Sequence, residues 1–264
     1  MKLHSLVAAS LVVAPLAASA QTVVPIDLRS WAELGPPANG TWTVSGDGTS
    51  VTQSINGDPT FFVGAGSFLD TTLRGSIRVG NAGDDDYIGF VFGYQSPAGS
   101  GNDMNYVLFD WKQNTQNFGG VTAQEGLSLN RVNGTITDYL PGFWGHNESA
   151  SFDVLATNFS TTNGWQVNTD YDFAITYQSN RVSVTLSGGA FTAPTTVLDV
   201  AGTFPAGRFG FYNYSQAGVT YSGLTLQQAP PTDPPVAAIP EPGTYGLMLA
   251  GLGAVALMAR RRRR

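Results

Sequence analysis

Asp84-Asp85-Asp86-Tyr87-Ile88-Gly89-Phe90-Val91-Phe92-Gly93-Tyr94-Gln95 is the stretch on which the fold turns. Ile88, Phe90, Phe92 and Tyr94 alternate with Tyr87, Gly89, Val91 and Gly93. A period of two is the signature of a β-strand, whose successive side chains point to opposite faces. Gly89 and Gly93 weaken a strand unless the sheet curves there or another backbone or a ligand comes close.

The same alternation recurs on both sides. Leu73, Ile77 and Val79 alternate with Arg74, Ser76 and Arg78, and Phe173, Ile175 and Tyr177 with Asp172, Ala174 and Thr176. Val182, Val184 and Leu186 alternate with Ser183, Thr185 and Ser187. Gln178-Ser179-Asn180-Arg181 between the last two runs reads as a hairpin turn. Phe209 and Phe211 head a further strand, and Val219, Tyr221 and Leu224 a last one. No amphipathic helix stands out. Many short strands with Gly-rich turns predict an all-β protein, and at this size a jelly-roll sandwich of two antiparallel sheets.

Composition agrees. The chain has 264 residues, 32 Gly and 15 Pro, which disfavours a helical bundle. It is 42% apolar and only 12% charged, against about 25% in ordinary globular domains. With no Cys, a disulfide framework, a zinc knuckle and a thiol nucleophile are all excluded. The formal charge of −6 is unevenly distributed. Six of the 13 bases are Lys2 and Arg260 to Arg264, so residues 3–259 hold seven bases against all 19 acids, a balance of −12. Such a body repels nucleic acid, which needs a basic surface, and attracts divalent cations.

The two ends read as addresses. Lys2, the apolar run Leu6 to Leu16 and Ala18-Ser19-Ala20 before Gln21 predict a signal peptide over 1–20, cleaved between Ala20 and Gln21. The body spans 21–227. Six prolines between residues 227 and 242 predict an extended spacer over 228–242. An uncharged run leads to a helix over 243–259 and a cytoplasmic Arg tail over 260–264. Sixteen uncharged residues cover about 24 Å as a helix, against a bilayer core of about 30 Å. The span is short for a permanent anchor.

Ile239-Pro240-Glu241-Pro242-Gly243, the apolar stretch and the terminal arginines resemble, in that order, the PEP-CTERM sorting signal of Gram-negative bacteria. The family usually has Val where Ile239 stands. The resemblance implies passage across the inner membrane as a membrane-anchored precursor, recognition by an exosortase, removal of the tail, and delivery to the cell surface or exopolysaccharide matrix.

The stretch Asp84 to Gln95 resembles the C-terminal domain of thrombospondins. Tyr106-Val107, Trp111-Lys112-Gln113, Gly164-Trp165, Tyr171, Gly207-Arg208-Phe209-Gly210-Phe211 and Ser215-Gln216 follow in the family's order. The similarity spans Thr71 to Leu226 and extends more weakly back to Asp27. It implies a lectin-like, concanavalin-type jelly roll that is extracellular, associated with calcium, and engaged in adhesion and matrix contact. The calcium-wire repeats and EGF-like modules that precede this domain in animals are missing, with their cysteines, so animal receptor activities are not carried over.

Two groups of residues offer binding chemistry. Asp84, Asp85 and Asp86 are adjacent carboxylates in a loop before a strand. Such oxygens suit Ca2+, with Asn81 and loop carbonyls as further ligands. The alternative is a solvated acidic turn that protects a sheet edge. Asp103, Asp110, Asp170 and Asp172 are poorer candidates. Trp144 stands in the Gly-flanked loop Pro141 to Asn147, where an exposed indole would stack on a sugar. The alternative is packing in the core. Trp42 and Trp165 also lie near turns, and Trp111 lies in a strand and is expected in the core.

Catalysis finds little support in the sequence. Between signal and tail the only Glu are Glu33, Glu125 and Glu148, and no E-x-D-x-x-E strand or G-x-S-x-G is present. His146, the one histidine after the signal, is expected to be exposed in its loop. The expectation is therefore a non-catalytic binding or adhesion protein with extracellular polysaccharide or surface proteins as partners. A polysaccharide hydrolase or lyase and a purely structural matrix protein are the alternatives.

Overall fold

The computed structural model describes residues 22–80, 83–95, 103–228, 247, 249–252 and 258–262. Ala20, Gln21, Asn81, Pro240, Glu241 and Pro242 lie outside these, as does part of the helix expected over 243–259. The chain divides into two compact units, Met1–Ala229 and Pro230–Arg264.

Strands dominate the first unit. In chain order they are β1 (Val23–Pro25), β2 (Ala32–Leu34), β3 (Trp42–Val44), β4 (Ser50–Gln53), β5 (Thr60–Val63), β6 (Thr71–Val79), β7 (Tyr87–Tyr94), β8 (Asp103–Lys112), β9 (Gln116–Phe118), β10 (Val121–Ala123), β11 (Gly126–Thr135), β12 (Phe152–Phe159), β13 (Asp170–Gln178), β14 (Arg181–Gly188), β15 (Phe191–Ala201), β16 (Arg208–Tyr214) and β17 (Val219–Gln228). Two short helical turns, Leu28–Ser30 and Leu140–Trp144, complete the described elements of this unit.

Two antiparallel sheets form the sandwich. The first has the order β15-β14-β13-β6-β17-β4-β3, with β1 paired to the far end of β17. The second has the order β12-β11-β8-β7-β16-β5-β2, and β9 and β10 make a separate hairpin. The predicted turn holds: Gln178 pairs with Arg181 across Ser179-Asn180. The all-β, two-sheet jelly roll read from the sequence is the fold observed.

One core fills the space between the sheets. Leu73, Ile77, Phe173, Ile175 and Val184 from the first sheet meet Ile88, Phe90, Phe92, Phe109 and Phe211 from the second. Phe90 packs on Phe173 with ring centroids 4.5 Å apart, and Phe211 stacks on Tyr221 at 4.2 Å.

A second core lies on the other face of the second sheet. Tyr87, Val91, Tyr106, Leu108, Val132 and Tyr212 are covered there by Phe143, Trp144 and Phe152. This explains why β7 is apolar at nearly every position, since both its faces are buried. The alternation read from the sequence breaks at its end. Gly93 has φ +60, and the register with β16 shifts between Arg208 and Gly210. Tyr94 is thereby turned to the second core instead of joining Phe90 and Phe92.

The glycines of β7 serve a backbone approach. A Cβ on Gly89 would lie 2.0 Å from the Phe109 carbonyl oxygen of β8. The Gly89 N–H donates to the Tyr221 hydroxyl at 3.1 Å, which ties the two sheets together.

In the second unit, residues 247, 249–252 and 258–261 are helical. Among the described residues no helix is long and apolar enough to cross a membrane.

Candidate functional site

β7 and β16 are antiparallel, so β7 begins where β16 ends, with Tyr87 paired to Tyr214. The acidic loop before β7 therefore meets the loop after β16. The Asp86 N–H donates to Gln216 Oε1 at 3.0 Å, and the Asp86 carbonyl accepts from Trp165 Nε1 at 2.9 Å. The three carboxylates converge, with one oxygen from each lying within 4.8 Å of the others.

A cation already stands among them. Lys112 closes β8, and its ammonium is fully buried. Its Nζ lies 2.6 Å from Asp86 Oδ1, 3.2 Å from Asp85 Oδ1, 3.1 Å from the Asp85 carbonyl and 3.0 Å from Gln116 Oε1. It also lies over the rings of Trp144 and Tyr87, at 4.7 and 5.4 Å. Burial pushes the Asp86 carboxyl up to about 6, outweighing the Lys112 ammonium, and the charge on Asp84 adds to the rise.

The three aspartates are thus unequal as metal ligands. Asp86 is spent on Lys112. Asp85 gives one oxygen to Lys112 and the other to Asn114 Nδ2 at 3.3 Å. Asp84 accepts from Asn56 Nδ2 and from the Asp85 N–H, and has no basic partner among the described residues. Asp84, with the outer oxygen of Asp85, is the part of the triplet that fits a hard cation.

Asp84 and Asp86 form one wall of a pocket of about 440 Å3. Asn39, Asp58, Gln116, Phe118, Trp144 and Tyr214 also line it. Asp58 is exposed and accepts from Asn39 Nδ2 at 3.3 Å. Burial and the charges of Asp58 and Asp86 push the Tyr214 phenol up to about 12.

Trp144 does not have the place expected of it. Its indole is only 4% exposed, and its Nε1 donates to the Val121 carbonyl at 3.2 Å. It is packed down because the turn Leu140–Trp144 is the cover of the second core. The exposed ring is Phe118, at 63%, standing edge-on to Trp144 with centroids 5.9 Å apart. Phe118 ends β9 just before Gly119-Gly120, whose φ values of +57 and +81 make a tight hairpin turn. The sequence reading missed Phe118, although the Gly-Gly turn was a usable signal.

The His146 side chain is also turned inward, only 4% exposed, against expectation. Its Nε2 lies 2.9 Å from Asp110 Oδ2, and Ser128 Oγ donates to Asp110 Oδ1 at 2.5 Å. Ser128 bonds to Asp110 rather than to the histidine, so the trio lacks the serine–histidine contact of a nucleophile and its base. Among the other weak candidates, Asp170 pairs with Arg78 at 2.9 Å and Asp172 accepts from Ser76 Oγ at 2.6 Å. Trp42, Trp111 and Trp165 are all buried.

Two antiparallel sheets packed face to face in this order make a lectin-like jelly-roll sandwich. The chain belongs to the thrombospondin C-terminal region family, whose model matches residues 37–229. A second model, the PEP-CTERM protein-sorting motif, matches residues 238–264 and implies exosortase processing and export to the cell surface or extracellular space. Among curated relatives, thrombospondin-3b of Danio rerio is 28% identical over 215 residues, covering 77% of this chain and 22% of the relative. Cartilage oligomeric matrix protein of Bos taurus is 27% identical over 214 residues, covering 77% and 27%. The chain thus spans about a quarter or less of these relatives. Among solved structures, the exoplasmic/lumenal domain of VIP36 in a Ca2+- and Man2-bound form has a TM-score of 0.53 at 13% identity, covering 81% of this chain and 90% of that one. A Bacillus subtilis protein with a galectin-like fold has a TM-score of 0.50 at 11% identity, covering 78% and 94%. These likenesses establish the shared fold.

Proposed function

We propose that this exported protein is a non-catalytic glycan-binding component of the cell surface or exopolysaccharide matrix. The observation that carries the reading is the pocket of about 440 Å3 between the acidic loop and Phe118. It joins an exposed aromatic ring, which stacks on a sugar face, to Asn39, Asp58 and Asp84, which accept from or donate to hydroxyls. The calcium- and mannose-bound state of the VIP36 domain is consistent with this use of the fold. In the precursor, the tail holds the chain at the inner membrane until an exosortase removes it.

Calcium is part of the proposal in a narrower form than three equal ligands. Asp84 and the outer oxygen of Asp85 would hold the ion, while Lys112 keeps Asp86. The bonding of both Ser128 and His146 to Asp110, with no bond between Ser128 and His146, supports binding over hydrolysis. Pull-down with the exopolysaccharide of the producing strain tests the function. Retention by the full chain, with loss in Phe118→Ala at an unchanged melting temperature, is expected. Equal retention by the variant would refute the pocket, and release of reducing or unsaturated ends would turn the reading to an enzyme.

A further inference from the structure

We infer that Asn56 is a modification site, at which the chain converts its own side-chain amide to a carboxylate beside Asp84. The backbone nitrogen of Gly57 attacks Asn56 Cγ. A new N–Cγ bond forms as that nitrogen gives up its proton to solvent. The Cγ–Nδ2 bond breaks, and the amide nitrogen takes up a proton and leaves as ammonia. Water then opens the five-membered imide and leaves a carboxyl group. The only co-reactant is water.

Glycine after asparagine favours the attack, because no side chain shields its nitrogen. Four such pairs occur: Asn39-Gly40, Asn56-Gly57, Asn133-Gly134 and Asn163-Gly164. The structure separates them. Asn133 and Gly134 lie in β11, held in register with Asn105 and Met104 of β8. At Asn163 the side-chain nitrogen bonds to Asn158 Oδ1 at 2.7 Å, and the Gly164 N–H is engaged by Glu125 Oε1 at 3.3 Å. Gly40 is buried against Thr60, away from the water that must open the ring.

Asn56 differs on each count. It is exposed and lies outside the strands, and the Gly57 N–H has no hydrogen-bond partner among the described residues. Ser215 Oγ donates to Asn56 Oδ1 at 3.0 Å. That bond draws electrons from Cγ and stabilises the oxygen that becomes negative during the attack. The far side of Gly57 is fixed. Its carbonyl accepts from the Ser215 N–H at 2.7 Å, and a Cβ on it would lie 2.6 Å from Asn39 Cα. An isoaspartyl link would insert an extra backbone atom there, so the ring is expected to open to the ordinary aspartyl chain.

The consequence falls on the calcium part of the proposed function, and only the consequence rests on that part. The Asn56 amide now donates to Asp84 Oδ2. After conversion two carboxylates face each other, an arrangement that favours a cation between them. A further hard oxygen group then joins Asp84 and the outer oxygen of Asp85, and calcium affinity rises with the charge count of the ligands. The site tightens as the protein ages.

Peptide-mass mapping of the full chain, incubated in mildly alkaline buffer with chelator, tests the conversion. Asn56 is expected to convert at least about tenfold faster than the other three, because those must first open locally. In urea all four should convert at similar rates. Ser215→Gly removes the hydroxyl and tolerates the positive φ at this position. It should slow Asn56 several-fold. In calorimetry, Asn56→Asp should bind Ca2+ about tenfold more tightly than the fresh chain.

Equal rates at the four pairs in the folded chain, or conversion led by another asparagine, overturns the assignment. An unslowed Ser215→Gly overturns the assisted attack. Conversion of Asn56 with no gain of Ca2+ affinity in Asn56→Asp overturns the consequence and leaves the modification standing. Ca2+ binding by a chain whose Asn56 keeps its amide throughout overturns the modification and leaves the calcium reading standing.

Discussion

Lys112 and Asp86 make a buried ion pair, 2.6 Å between Nζ and Oδ1, with side-chain exposures of 0% and 4%. They come from the end of one strand and the loop before its neighbour, 26 residues apart. The pair pulls the acidic loop onto the second sheet and so shapes the pocket wall.

Removing one partner of a buried pair leaves the other charge without compensation. Lys112→Met is expected to cost about 3–5 kcal/mol of folding stability. Lys112→Met with Asp86→Asn should recover part of that loss, because neither charge then remains. Urea unfolding of both variants is the check, and a single variant costing under about 1 kcal/mol would contradict the buried pair.

The pH dependence of Asp86 has an unusual sign. Its carboxyl is raised from 3.8 to about 6, so the folded chain holds this proton more tightly than the unfolded chain. The stabilisation is complete below about pH 4 and disappears as pH rises through about 6. Carboxyl NMR in chelator should show a midpoint near 6, and Asp86→Asn should remove this component from the stability profile. A midpoint below 4 would mean that Lys112, and not burial, dominates.

Glycine substitutions separate close approach from open turns. At Gly89 a Cβ would meet the Phe109 carbonyl oxygen at 2.0 Å. Gly89→Ala is expected to lose more than about 3 kcal/mol or fail to fold. Gly46 has open space around it and an ordinary φ, so Gly46→Ala should be neutral or slightly stabilising, by up to about 1 kcal/mol. Thermal unfolding of the pair decides, and a tolerated Gly89→Ala would mean that β7 and β8 are further apart.

Calcium should act through Asp84. Ca2+ at a hundredfold excess over its Kd is expected to stabilise the folded chain by about 2.7 kcal/mol. Asp84→Asn should diminish this more than Asp86→Asn, because Asp86 already serves Lys112. Differential scanning calorimetry with and without chelator reads the effect. No shift with Ca2+ in the full chain would remove calcium from the function.

Much of the fold was legible along the chain. The runs at Leu73 to Val79, Tyr87 to Tyr94, Phe173 to Tyr177 and Val182 to Leu186 all form strands, and Ser179-Asn180 makes the hairpin turn. The candidate site was legible only in part. The acidic triplet does line a pocket, but Trp144 and His146 are buried and Phe118 carries the exposed ring. A loop aromatic looks the same in sequence whether it caps a core or faces solvent.

The division has a physical cause. Strand periodicity, turn residues, the sorting tail and the acidic loop are properties of neighbouring residues, so the sequence by itself determined the β class and the chain's address. The second core, the face change at Tyr94, the capture of Asp86 by Lys112 and the pocket arise where distant segments meet. Alternation shows that a strand has two faces, but not which of them another part of the chain covers. Only the tertiary structure decided that both faces of β7 are buried, and that of three adjacent aspartates two share Lys112 while Asp84 bonds to Asn56.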